Sequence, residues 1–302
     1  MTNPFVGATP ALDGRPFRWS VGIRPIAAEQ WLVTDASSEA DLAIKDSLFE
    51  SQHADVVVSL PKASQAGEEL LARIIDHLHT HGKDRYLFDG PVITDVTTGR
   101  VVDTSAYQPI ESCGRLVAED FAILSPTSDD WALSAASICF PSRWNLQSKL
   151  GQNLSGIHKP VPGYEDRLGA AVRKTFERLD DTSVVCRTNW TLLDTNELHL
   201  PAAGPSAQAS ESETTSASAC ASGGDTTDKP KHAPANSSGP QGLNWVRTER
   251  QTLRKLPRTG AVVFTILTRV IPRADLDAAA REALASTLAT VPGDIARYKG
   301  WV

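Results

Sequence analysis

The chain has 302 residues, 41% of them hydrophobic, enough for one large domain or two small ones with a sizeable core. Its formal net charge is -6 and no long basic run occurs, which argues against nucleic acid and anionic membrane as main partners. Four cysteines, Cys113, Cys139, Cys186 and Cys220, form no C-x-x-C pair; this excludes a zinc ribbon or a disulfide framework and fits free thiols in a reducing, cytoplasmic compartment.

The opening MTNPFVGATPALDGRPF has neither a basic head nor an apolar run, so no signal peptide is expected there. No apolar stretch approaches the roughly 20 residues that a membrane span requires. Ser38 to Glu50 predicts a weak helix, and the apolar DVVVSL after His53 reads as strand-like. Glu68 to His79 carries Leu70, Leu71, Ile74, Ile75 and Leu78, a helical stripe. Phe121 to Leu124 and Trp131 to Cys139 predict strands, and Leu168 to Leu179 a further helix. Ser183 to Cys186 and Trp190 to Leu193 read as a strand pair or one long strand. Ala202 to Gly242 lacks Leu, Ile, Val and aromatics, cannot offset the entropy of ordering, and is expected to be disordered. Gly260 to Val270 is β-branched and predicts a strand; Ala274 to Leu288 predicts a late helix. Helices first, then strands with interleaved helices, imply an α+β fold with an antiparallel sheet. N-x-[ST] sequons at Asn153, Asn189 and Asn236 are expected to be chance matches.

Three blocks concentrate residues that can do chemistry. Cys139–Tyr164, CFPSRWNLQSKLGQNLSGIHKPVPGY, puts His158 between Ile157 and a Pro-Val-Pro-Gly run. The prolines fix φ and Gly163 allows a tight turn, so the segment reads as a rigid, partly buried connection rather than a plain helix or a central strand. An imidazole held this way either hydrogen-bonds a carbonyl in the core or ligates a haem iron. In the second block, Trp245–Pro257, a helix would place Arg247, Arg250 and Arg254 on one face, at i, i+3 and i+7, with Glu249 as an internal partner. Three guanidiniums on one face call for anions, unless that face is simply solvated. In the third, Arg187-Thr-Asn-Trp190, Arg187 and Asn189 are flanked by apolar residues and need partners if buried.

Other residues carry weaker signals. Trp144 and Trp190 fill core or pack on a flat cofactor. Asp194 and Glu197 suit a cationic amine or cap a turn. Glu119 and Asp120 form an acid pair suited to anchoring an arginine of the second block. His77, His79 and His81 read as the solvated end of a helix rather than a metal site. His53 reads as structural, His199 as a second ligand candidate or a surface residue, and His232 falls in the polar tract. G-x-G-x-x-G, P-loop, H-E-x-x-H and G-x-S-x-G motifs do not occur, and no pattern binds a nicotinamide or an iron–sulfur cluster.

CFPSRW, the K-x-G at Lys149–Gly151, IHKPVPGY, Arg187–Trp190, Trp245–Pro257 and Thr259–Ile266 together resemble the haem-dependent oxidative N-demethylase alpha-subunit-like family. Weaker likeness extends from Phe17–Asp35, with Gly22 and Trp31, through Glu119–Pro126 to Asp294–Gly300. Nearly the whole chain is covered in order, so 202–242 is expected to be an insertion within a single domain spanning 1–302. The resemblance implies a PAS-like antiparallel sheet with flanking helices that holds haem b; the choice of His158 as the iron ligand rests on its Pro-Val-Pro frame and the apolar Ile157 beside it. With the resemblance, at least one of Arg247, Arg250 and Arg254 is expected to hold a propionate or orient the substrate pocket, and Trp144 and Asn189 are the other candidate cofactor contacts. Arg187, Asp194, Glu197 and Glu249 are the candidate catalytic residues, with Asp194 or Glu197 as the anionic group that would meet the amine. The implied activity is O2-dependent oxidation of a small methylated amine to an aldehyde, with electrons from a separate flavin or iron–sulfur reductase. The alternatives are a non-catalytic PAS-like haem sensor or interaction module, and a haem-free scaffold.

Overall fold

The computed structural model describes residues 14–35, 37–82, 84–202 and 242–302. The expected disorder of the tract between Ala202 and Gly242, together with Cys220, His232, Asn236 and the first 13 residues, lies outside the described residues. The chain runs β1 (Arg24–Ile26), α1 (Ser38–Ser51), α2 (His53–Val56), β2 (Val57–Ser59), α3 (Ser64–His81), β3 (Tyr86–Asp89), β4 (Val92–Asp95) and β5 (Arg100–Asp103). It continues with α4 (Pro109–Leu116), β6 (Asp120–Pro126), β7 (Trp131–Ser137), α5 (Leu154–His158), a π-turn at Glu165–Gly169, and α6 (Ala170–Arg178). The last elements are β8 (Val184–Leu193), β9 (Trp245–Lys255), β10 (Val262–Pro272), α7 (Ala278–Leu288) and α8 (Gly293–Tyr298).

The result is an α+β domain. Seven strands pair antiparallel in the order β1-β8-β9-β10-β6-β7-β2, and β3-β4-β5 form a small separate sheet. Strand side chains alternate between faces, so neighbouring valines serve different cores. Val184 and Val263 join Leu70, Ile74 and Leu78 of α3 and Ile110 and Cys113 of α4. Val185 and Val262 join Leu154, Phe176 and Leu179 on the opposite face, and Leu133, Ala136, Ile138 and Leu146 extend that second side. Each fully buried Leu, Ile or Phe contributes roughly 1.5–3 kcal/mol. The sheet is therefore a central layer with α1, α3 and α4 on one side and α5 and α6 on the other.

Several boundaries differ from those expected. Ser183–Cys186 and Trp190–Leu193 belong to one ten-residue strand, β8. The helix expected over Leu168–Leu179 begins as a π-turn and becomes α-helical at Ala170. The largest correction concerns Trp245–Pro257, which is not a helix. It forms β9, paired along its whole length with β10 and along most of it with β8. On a strand Arg247 and Glu249 share a face, whereas Arg250 and Arg254 point the other way. The three arginines therefore do not form one cationic face.

Candidate functional site

The site is built on the sheet face covered by α5 and α6. Asn153 starts α5 by accepting a hydrogen bond from the Gly156 amide at 2.9 Å, so its side chain serves as an N-cap. Five residues later the helix ends at His158. The Pro-Val-Pro-Gly run then turns back, with the Val161 amide donating to the His158 carbonyl at 2.8 Å. Gly163 has φ +68°, a left-handed conformation that suits glycine. That turn brings Tyr164 parallel to the imidazole, with ring centroids 4.3 Å apart and planes 8° from parallel.

The expected carbonyl bond of His158 is present: Nδ1 lies 2.8 Å from the Leu154 carbonyl oxygen. A carbonyl can only accept, so Nδ1 carries the proton. Burial lowers the imidazole's pKa, the Leu154 carbonyl opposes that shift, and the Arg187 and Lys149 charges lower it further. The ring is thus neutral at neutral pH, and its lone pair is on Nε2. The ring makes no other hydrogen bond among the described residues. The core reading and the ligand reading of His158 are therefore compatible: one nitrogen anchors the ring, and the other is left as a donor to a metal.

Beside the imidazole lies a polar patch on the middle strands. β8 and β9 are in register with Arg187 opposite Gln251 and Asn189 opposite Glu249, which sets all four side chains on one face. Glu249 is the hub. Its Oε1 accepts from Arg247 Nε at 2.9 Å, and its Oε2 accepts from Gln251 Nε2 at 3.0 Å and Asn189 Nδ2 at 3.4 Å. Burial alone would raise the pKa of this carboxyl, but Arg247, Asn189 and Lys299 outweigh it and hold the pKa below the usual value. Arg247 is 1% exposed and also donates to the carbonyls of Leu198 and Phe140 and to Thr268 Oγ1. It is locked into the fold rather than presented to a ligand.

Arg187 is different. Its Nε is shielded from solvent and has no hydrogen-bond partner, and the guanidinium makes no ion pair with any described carboxylate. Burial lowers its pKa, with the charge of Glu249 opposing. Two lysines add to the positive character of this region. Lys149 donates to the Ile157 carbonyl at 2.8 Å, and burial lowers its pKa. Lys299 donates to the Trp190 carbonyl at 2.7 Å and stands over the stacked Trp190 and Trp301 rings. Burial brings its pKa down to about 8 despite the neighbouring Glu249, and Arg187 pushes the same way. Trp144 and Ile157 pack against the apolar cluster that continues the face.

Other expected site residues lie elsewhere. Arg250 is on the α1/α3 side, bound to the carbonyls of Trp31 and Gln30, and Arg254 sits 4.7 Å above the Trp31 ring on the same side. Asp194 is in solvent, 68% exposed, 3.7 Å from Arg143, and Glu197 is also exposed. Both follow the end of β8, and among the described residues neither makes a hydrogen bond or ion pair to Arg187, Asn189, Glu249 or Gln251. Asp120 binds Lys45 rather than an arginine of β9, while Glu119 accepts from the Val33 amide at 2.8 Å. His77, expected in solvent, is buried. His199 is half-buried, with Nδ1 2.7 Å from the Cys139 carbonyl oxygen and its Nε2 shielded without a partner. Tyr164, Gln251 and Lys299 were not singled out from the sequence. Each stands inside a block that was, but a lone tyrosine, glutamine or lysine carries no spacing signal.

Among the described residues no group of three or more His, Cys, Asp or Glu could hold a bare metal ion. A haem iron needs only one or two protein ligands, because the porphyrin supplies the rest. A neutral, anchored imidazole with a free Nε2, an apolar shelf and an unanswered cation suit a group with an iron centre, a flat apolar body and carboxylates. The residues fit haem. The comparison with known families agrees: a family model described as haem-dependent oxidative N-demethylase, alpha subunit-like, matches residues 22–302. The chain belongs to that family.

Proposed function

We propose that this member of the haem-dependent oxidative N-demethylase alpha-subunit-like family binds haem b through His158 and oxidises a small methylated amine with O2. The observation that carries this reading is the state of His158: Nδ1 is committed to the Leu154 carbonyl and Nε2 is left with its lone pair. In this proposal the large antiparallel sheet with helices on both faces is a PAS-like cradle. Ile157 and Trp144 form the apolar boundary that excludes water from the cofactor. Asn189 and Glu249 form the polar boundary, with Glu249 kept ionised chiefly by Arg247.

Bound haem supplies the O2 and one-electron chemistry that amino-acid side chains lack. The reaction consumes one methylated amine, one O2, two electrons and two protons. One oxygen atom enters a methyl C–H bond and the other leaves as water; the carbinolamine then breaks its C–N bond to give formaldehyde and the demethylated amine. The two electrons come from a separate flavin or iron–sulfur reductase, in keeping with cysteines that are not spaced for a cluster and with no dinucleotide fingerprint in the chain. No helix among the described residues is long and apolar enough to cross a membrane.

The test is to titrate haem into the purified protein and its His158→Ala variant, following the Soret band, and then to supply dimethylamine, O2 and a reductant. Wild type should take up one haem per chain and release formaldehyde; His158→Ala should lose haem or show a changed axial spectrum. An unchanged spectrum at full occupancy would sink the ligand assignment. Haem uptake without aldehyde from any methylated amine, with a competent reductase present, would favour the sensor.

A further inference from the structure

Among the described residues the site face holds several shielded polar atoms without a partner, the Tyr164 hydroxyl and Trp131 Nε1 among them, and Arg187 is the one that carries a charge. Its Nε is shielded from solvent without an acceptor, and the side chain as a whole is only partly buried, so an edge of the guanidinium stays open to an incoming group. A shielded cationic donor without an acceptor is costly, and native folds rarely leave one unless a partner arrives from outside. The acid on the same face cannot serve. Oε1 of Glu249 is taken by Arg247, and Oε2 is shared by Gln251 and Asn189. Two other cations lie in this region: the Arg187 charge disfavours the ammonium of Lys299, and Arg187 and Lys149 both disfavour protonation of His158. The face therefore has an excess of positive charge at a planar fork whose geometry matches a carboxylate.

We propose that Arg187 is a carboxylate-binding residue, taking up an anion from outside the polypeptide: a haem propionate, or a carboxylate carried by the amine substrate. The inference deepens the haem reading above and rests on it. The two sources share one chemistry, and the first would place the haem edge over β8. The second would narrow the substrate to N-methylated amino acids.

The experiment uses Arg187→Gln, which keeps a polar side chain but removes the charge, and Arg187→Lys, which keeps the charge but removes the fork. Both are first checked for native circular dichroism. Protohaem and haem dimethyl ester, whose propionates are blocked, are titrated into each protein. If the partner is a propionate, wild type should bind protohaem about tenfold or more tighter than the ester, and Arg187→Gln should lose that preference, with Arg187→Lys in between. If the partner is the substrate, haem binding should be unaffected. N,N-dimethylglycine should then shift the wild-type Soret band at about tenfold lower concentration than it needs for Arg187→Gln, with dimethylamine indifferent to the variant. An Arg187→Gln protein that matches wild type in both assays overturns the proposal. Should wild type take up no haem, that reading fails separately, and Arg187 is judged by thermal shift. Stabilisation of wild type but not Arg187→Gln by N,N-dimethylglycine upholds the carboxylate site, and equal responses overturn it.

Discussion

Lys45 is fully buried, although a lysine in an amphipathic helix usually faces water. Its ammonium donates to the carbonyls of Glu119 at 2.6 Å and Val117 at 3.2 Å and stands 3.4 Å from Asp120. Asp120 in turn accepts from the amides of Cys139 at 3.0 Å and Phe140 at 2.8 Å. The pair thus joins α1, the start of β6 and the chain that leaves β7 towards Trp144. Burial raises the Asp120 pKa, while Lys45 and the two amides oppose that shift. Removing the cation alone should therefore be expensive. Lys45→Met is expected to cost about 3–5 kcal/mol in urea unfolding, because it strands a buried carboxylate. Adding Asp120→Asn should recover part of that loss. A single-variant cost under about 1 kcal/mol would show that the pair is not a structural tie. At this scale the sequence was only partly legible. Glu119 and Asp120 stood out as an acid pair, but their expected partner was an arginine of β9. The true partner lies some seventy residues upstream, in a helix whose own pattern gives no reason to bury a lysine.

Among the elements, β9 shows why helix and strand are confused in a charged block. Period-two alternation is the usual strand signal, one face apolar and the other polar. In β9 both faces carry polar residues: Arg247, Glu249 and Gln251 on one side, Arg250, Thr252 and Arg254 on the other. With both faces polar the alternation vanishes, and the i, i+3, i+7 spacing of the arginines suggests a helix that does not form. The β3-β4-β5 sheet went unread for another reason: its strands have four residues each. Gly90-Pro91, the two-residue turn between β3 and β4, was the available signal. Strongly amphipathic α3 was legible, yet one of its residues behaves against expectation. His77 is 7% exposed and lies edge-on to Trp31, with ring centroids 5.5 Å apart. Burial, then His81 and Arg254, lowers its pKa from 6.5 to about 4, against a weaker opposing pull from Asp76. In the unfolded chain the imidazole takes up a proton near pH 6.5 that the fold refuses until about pH 4. The stability it confers is therefore fully present above pH 6.5 and lost as pH falls towards about 4. Each unit in that window is worth about 1.4 kcal/mol. His77→Phe should flatten the fall in urea stability between about pH 7 and about pH 5 by most of that slope. An identical slope in the two proteins would mean that His77 titrates normally.

For the whole molecule, the decisive relation is between the two strands on either side of residues 203–241. β8 and β9 are direct neighbours, and their pairing runs from Val184 opposite Arg254 to Leu193 opposite Trp245. The end of one strand therefore meets the start of the next, and the intervening chain is a connection within one sheet. This is why an antiparallel α+β domain was readable from element order even though individual boundaries were not. The site is similarly divided. His158, Arg187, Asn189 and Glu249 were legible as single residues in separate blocks. Their convergence on one face was not, because it depends on strand register across that long connection. The same relation fixes how a cut would act. A protease site introduced at Gly223 and cleaved specifically should leave two pieces that co-elute on gel filtration and keep the haem response. The pieces would still share the β8–β9 ladder and, across it, the side chains of Asn189 and Glu249. Further contacts join β10 of the second piece to β6 of the first, in register from Val262–Leu124 to Ile266–Asp120. A chain cut there has lost one covalent link but none of the strand pairing among the described residues, so its midpoint in urea should become dependent on protein concentration while its native spectrum stays the same. Pieces that part without denaturant would show instead that residues 1–202 and 242–302 are separate folding units, and the register between β8 and β9 would be refuted with them.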